Sequence, residues 1–192
     1  MEKVTPAPAP APAPRQRGTS LIEVLVTMVI IAIGLLGLAS LQSNLQVNDV
    51  ESYQRAQAAI LLKDMSSRLA ANRHMRLNYV QNNIGSAACP VTTNASTRAQ
   101  LDLAQWCRSL RGAAERQGAS EVGAMVGARG CITAINANTY LVSVAWQGLV
   151  PVSAPPVGLP CGANQYDGAA GSSCIADRCR RVIGAVVQVG NL

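Results

Sequence analysis

From Val24 to Leu41 the chain carries no charged residue, and apolar positions dominate: Val24-Leu25-Val26, Val29-Ile30-Ile31-Ala32-Ile33, Leu35-Leu36, Leu38 and Leu41. At a helical rise of about 1.5 Å per residue this stretch reaches roughly 27 Å, close to the hydrocarbon thickness of a bilayer. The pattern therefore predicts a membrane-spanning helix over about residues 21–41. Gly34 and Gly37 interrupt the run, either allowing another helix to approach closely or lowering helix propensity. From Leu45 to Tyr79 there is no proline or glycine, and Val47, Val50, Ala58, Leu61, Leu62, Met65 and Leu69 gather on one side of a 3.6-residue projection, away from Asp49 and Lys63. One long helix over residues 19–80 is expected, apolar in its first half and amphipathic in its second.

Beyond it the periodicity shortens. Asn82 to Asn94 reads as a loop, and Thr97 with Gln100 forms a capping box for a second helix carrying Leu101, Ala104, Trp106, Cys107 and Leu110. The small-residue stretch Gly112 to Gly130 reads as a linker. Two β-prone runs, Cys131 to Ile135 and Tyr140 to Trp146, flank turn chemistry at Asn136-Ala137-Asn138-Thr139 and predict a hairpin. In its second strand Tyr140, Val142, Val144 and Trp146 share the face expected to lie on the long helix, and Ser143 and Gln147 share the other. After a Pro- and Gly-rich loop, Pro151 to Gly171, a last strand is expected from Arg180 to Val189. The fold class is α+β: a long N-terminal helix packed on a small antiparallel sheet, with residues 81–192 as the globular region.

The segment before the apolar run cannot pack a core. Pro6 to Pro14 is a Pro-Ala repeat, which stiffens an extended, solvated chain, and it ends in Arg15-Gln16-Arg17-Gly18. Positive residues on this flank keep it cytoplasmic, so the body is translocated. One carboxylate stands out, Glu23, because a charge in an apolar span costs on the order of 3 kcal/mol at the centre and less near the headgroups. It needs a partner or a wet interface.

The 192 residues hold one domain plus an anchor. The formal charge is +6, and without Glu2, Lys3, Arg15 and Arg17 there remain 13 basic and 9 acidic residues, or +4, too mild to indicate nucleic acid. Phe is absent and aromatics are few, so stacking platforms for single strands are poorly supplied. Arg68, Arg73, His74 and Arg76 cluster where the long helix should end, as the helix dipole alone favours. His74 has no second histidine or carboxylate beside it. No Ser/His/Asp, paired-acid or phosphate-loop constellation appears, so no enzyme class and no cofactor is indicated. The six cysteines, Cys89, Cys107, Cys131, Cys161, Cys174 and Cys179, all follow the apolar run. Without a C-x-x-C pair or a neighbouring histidine they indicate disulfides in an oxidising compartment rather than a metal site.

Basic residues, then Gly18, then four residues, then Glu23 at the head of a long apolar helix: this resembles the N-terminal signature of type IV prepilins. The resemblance implies cleavage after Gly18 by a prepilin peptidase, methylation of the new N-terminus at Thr19, and retention of the helix as anchor and assembly handle. It also implies that Glu23, the fifth mature residue, pairs with the N-terminal amine of a neighbouring subunit. The family usually has Phe at the first mature position, where this chain has Thr19. The stretch Ala59 to Arg73, Gly130-Cys131-Ile132, Val144 to Gly148, Cys161-Gly162 and Arg180-Arg181-Val182 are similar to the minor pilins called PilV. That similarity implies a subunit that joins other minor pilins and the major pilin to start pilus assembly in the inner membrane, with its body in the periplasm and a place at the filament tip, where an adhesin is a further candidate partner. Rival readings are a type II secretion pseudopilin, which shares the leader but usually has fewer cysteines, and a DNA-uptake minor pilin. A membrane-anchored thiol oxidoreductase is disfavoured by the lack of C-x-x-C.

Six cysteines allow 15 connectivities. Chain order favours Cys89 with Cys107, since both lie away from the strands. Cys131 with Cys161 suits the hairpin, and PilV proteins carry a cysteine at both places. Cys174 with Cys179 is then left, although Cys131 with Cys179 and Cys161 with Cys174 would use the same end of the sheet.

Overall fold

The computed structural model describes residues 21–113, 116–118, 120–121 and 125–190. Helix α1 runs Leu21–Ala71; strand β1 is Gln81–Ile84; helix α2 is Arg98–Leu110; strands β2 to β6 are Arg116–Gln117, Ser120–Glu121, Arg129–Asn136, Thr139–Gln147 and Arg180–Gln188. The chain divides into two units after Leu45, and α1 contributes to both.

In the first unit, residues 21–45 of α1 are exposed along their whole length, with Leu21 83% and Leu36 72% accessible. A helix apolar on every face, with nothing among the described residues covering it, suits lipid or other helices as its surroundings. The helix is unbroken at Gly34 and Gly37, and a side chain at either would meet no atom within 4 Å.

The second unit has a four-stranded antiparallel sheet in the order β1-β4-β5-β6, with the amphipathic part of α1 on one face. Gln54, Ala58, Met65 and Leu69 are buried, and Leu61 and Leu62 pack beside them. Against them lie Tyr140, Val142, Val144 and Trp146, alternate residues of β5, together with Ile132 of β4. Val50, expected on the buried face, is 44% exposed. The sheet's last rung, Gln147 opposite Arg180, lies near Glu51, which bonds Leu149 and Arg181, so little sheet remains to cover the turn before it.

α1 ends sooner than its periodicity suggests. After Asn72 the backbone tightens into a 3-10 helix, Arg73–Tyr79, which seats the Tyr79 ring in the core. Asn72 supports the change: its carbonyl accepts from the Met75 amide and its side chain donates to the Tyr79 hydroxyl. α2 opens on the Thr97–Gln100 capping box, in which both reciprocal bonds are made. Its indole, Trp106, is fully buried and donates from Nε1 to the Leu61 carbonyl at 2.9 Å, fastening α2 to α1.

Three features of the body carry no clear signal in the local sequence. Gln81-Asn82-Asn83-Ile84, whose last three residues fall in the stretch Asn82 to Asn94 read as a loop, is strand β1, because Gln81 and Ile84 pair with Ile132 and Gly130 across a register shift. A run of three amides gives no local signal for this. The stretch Gly112 to Gly130 contains the small β2-β3 ribbon and also the first two residues of β4. The sheet face carrying Ser143 is covered: Cys131, Ala145, Cys161 and Tyr166 form a second apolar cluster beneath the 159–166 loop, and Ser143 is only 2% exposed.

Candidate functional site

The apolar helix begins with one charge. Glu23 lies in the first turn of α1 and is exposed, and the next acid along the helix is Asp49. An acid in a first turn is favoured by the helix dipole. Thr27, one turn on, turns its hydroxyl back to the Val24 carbonyl at 2.8 Å, which satisfies it within the helix. α1 is the one helix among the described residues long and apolar enough to cross a membrane. Glu23 is thus an ionisable group at the very start of a lipid-compatible surface. Gly18 and Thr19, the expected processing residues, lie outside the described residues.

In the body, the polar side chains converge on structural joints. The Asp102 carboxylate, 1% exposed, takes Arg68 Nη1 at 2.9 Å, Arg98 Nη2 at 3.1 Å and the Tyr79 hydroxyl. Arg68 also reaches Asp64 and Gln105. Burial first, and the bond to Asp102 second, push the Tyr79 phenol up to about 12. Neither residue stood out in the sequence. A lone acid on the inner face of a predicted helix, at Asp102, was the available signal.

The basic group at the end of α1 does not converge. Arg68 points into this joint, Arg76 donates to the Ala137 and Arg73 carbonyls, and His74 is exposed. Among the described residues no three His, Cys, Asp or Glu side chains meet as a metal site. The cysteines are joined Cys89–Cys107, Cys131–Cys161 and Cys174–Cys179.

A second joint lies where α1 enters the body. Glu51 takes Arg181 through both carboxylate oxygens, at 2.9 and 3.0 Å, and accepts the Leu149 amide at 3.0 Å. Arg181 also donates to the Val150 carbonyl, and its guanidinium passes so close to Gly148 that a Cβ there would lie 2.5 Å from it. Burial raises the Glu51 pKa, but the hydrogen bonds and charge of Arg181 outweigh it and leave the carboxyl below its ordinary 4.5. A depressed carboxyl contributes stability that is complete above the ordinary value and fades as pH falls through the folded one. Glu51→Gln should therefore cost about 1 kcal/mol near neutral pH and progressively less as pH falls below the ordinary carboxylate range. Urea denaturation of the wild type and variant across an acid pH series checks this.

The apolar half of α1 is exposed on all faces and offers a surface suited to lipid or to other helices. Residues 13–39 match the family model described as the prokaryotic N-terminal methylation motif. The match supports a prepilin-type protein, pilin-like or pseudopilin. The matched span takes in Gly18, Thr19, Glu23 and all but the last two residues of the apolar run that ends at Leu41. A prepilin motif implies processing by a prepilin peptidase and assembly with other pilins in a membrane-associated machinery, and the motif and helix together fit a membrane-anchored protein. No curated protein and no solved structure matches the chain.

Proposed function

We propose that this chain is a minor pilin of the PilV kind that takes part in starting type IV pilus assembly. In this reading residues 1–18 are a leader removed by prepilin peptidase, about 21–41 span the inner membrane once, and the body from 81 onward lies in the periplasm. The chain is a structural subunit and the peptidase's substrate. The observation that carries the reading is the methylation motif at the head of α1, whose sole charge before Asp49 is Glu23. A buried or lipid-facing carboxylate is stable when an opposite charge meets it, and a free N-terminal amine on a neighbouring subunit supplies one.

The test has two parts. Intact-mass and peptide spectrometry of protein from the assembled machinery should show Thr19 as the first residue, with its amine methylated. Retention of the leader in assembled material would overturn the processing. Glu23→Gln should leave membrane insertion intact, since removing a charge eases it, while incorporation into filaments falls. Complementation then places the machinery. Restored twitching supports the pilus, restored secretion the type II pseudopilin, and restored DNA uptake the competence pilin.

A further inference from the structure

The two edges of the sheet are treated differently. β1 is four residues long, polar, and irregular in register, features that discourage further pairing. β6 is nine residues long and holds no charge or proline from Val182 to Val189. Edge strands of that length usually carry charged side chains, a proline or a bulge. β6 has charges only at its first two residues, Arg180 and Arg181, and its register with β5 runs without a shift from Gln147–Arg180 to Thr139–Gln188.

The register also fixes which backbone groups are free. The Val189 amide donates to the Asn138 carbonyl, so odd-numbered residues of β6 bond inward to β5 and even-numbered ones face away. Val186, at 61% exposure, and Gln188 and Gly184, both exposed, thus present N–H and C=O groups to solvent, and no described strand pairs with them. Beside them the helix and sheet part to leave a groove of about 380 Å³, lined on β6 by Ala185, Val186 and Val187 and on α1 chiefly by Ala59, Leu62 and Ala70. The serines in it, Ser66 and Ser67, bond back to the Leu62 and Lys63 carbonyls and leave its wall effectively apolar. Lys63 stands at the rim, exposed and without an ion-pair partner among the described residues.

We infer that the outer edge of β6 receives an extended strand from a partner protein, one that carries an acidic side chain for Lys63 and a small or branched apolar side chain for the groove. Gly184, Val186 and Gln188 supply the main-chain bonds, the alternate side chains of the incoming strand enter the groove, and the carboxylate closes on Lys63. Backbone pairing alone would accept any strand. The groove and the lone cation select among them. This rests on the open edge and not on the assignment to a pilus, and it stands whichever machinery the chain serves.

Full-length protein in detergent micelles tests it against a blocked heptapeptide of alternating valine and threonine with one central glutamate. By hydrogen exchange, the Gly184, Val186 and Gln188 amides should exchange fast in the lone protein and slow on adding the peptide, while the Ile183, Ala185 and Val187 amides are already slow. Val186→Pro removes one outward donor without touching β5 and should weaken the peptide up to about tenfold. Val186→Lys, which keeps the fold if the proline does not, should weaken it comparably. Lys63→Glu should reverse the preference between the glutamate peptide and its lysine counterpart. Even-numbered amides slow in the lone monomer, peptide affinity indifferent to both Val186 variants, or dimerisation through β6 that excludes the peptide would each overturn the inference.

Discussion

Asp102→Ala is expected to destabilise the body by about 3 kcal/mol, measured by chemical denaturation of the full-length protein. The carboxylate is 1% exposed and joins three elements: Arg68 on α1, Tyr79 on the 3-10 turn and Arg98 on α2 itself. Removing one partner of a buried pair leaves the other charge poorly compensated, which costs about 3–5 kcal/mol in comparable sites. The lower end applies here because Arg68 keeps Asp64 and its side chain is 25% exposed. Asp102→Asn retains one acceptor and should lose about half as much. The same variant provides a spectroscopic check. Tyr79 loses a carboxylate that holds its proton, so its phenol should ionise below the wild-type value of about 12, visible in the tyrosinate absorbance.

Gly130→Ala should cost a comparable amount, about 3 kcal/mol, and Gly130→Val more. A Cβ at Gly130 would overlap the Trp106 ring and lie 2.9 Å from Leu110 Cδ1. The ring has little freedom to retreat, being fully buried and tied by Nε1 to Leu61. β4 runs close under α2 here, and only a glycine lets it. The expected result is a lower denaturation midpoint with an unchanged denaturant slope, and Trp106→Phe in the same chain should recover part of the loss by removing the bulk that clashes.

The parts of this fold legible in the sequence are those whose signal is local. The apolar run, the amphipathic face of Ala58, Met65 and Leu69, the Thr97–Gln100 cap and the alternation of Tyr140, Val142, Val144 and Trp146 each follow from periodicity or cap chemistry. The parts not legible depend on partners distant in sequence. Gln81 to Ile84 is a strand because β4 is beside it. Asp102 is a joint because α1 and the 3-10 turn arrive with Arg68 and Tyr79. Ser143 is buried because the loop through Cys161 and Tyr166 folds back over the sheet. For the candidate site the balance differs. The placement of Glu23 and the spanning length of its helix are one-dimensional facts, readable without any fold. The open edge of β6 is not, since nothing in Val182 to Val189 says that no strand lies on its far side.

Glu51 and Arg181 are 130 positions apart in the chain. The helix that needs covering is made near the beginning, and β6, which borders the groove beside it, is made almost at the end. During synthesis, which runs from the N-terminus, the chain therefore carries Ala58, Met65 and Leu69 uncovered until the hairpin arrives, and lacks the closing ion pair until Arg181 follows. Cys89–Cys107 and Cys131–Cys161 span only 18 and 30 positions, so each can be closed well before that. Oxidation can thus run ahead of docking, and the last strand acts as the latch: the order of synthesis, and not only the final set of contacts, determines how long the apolar half of the body stays open to other chains.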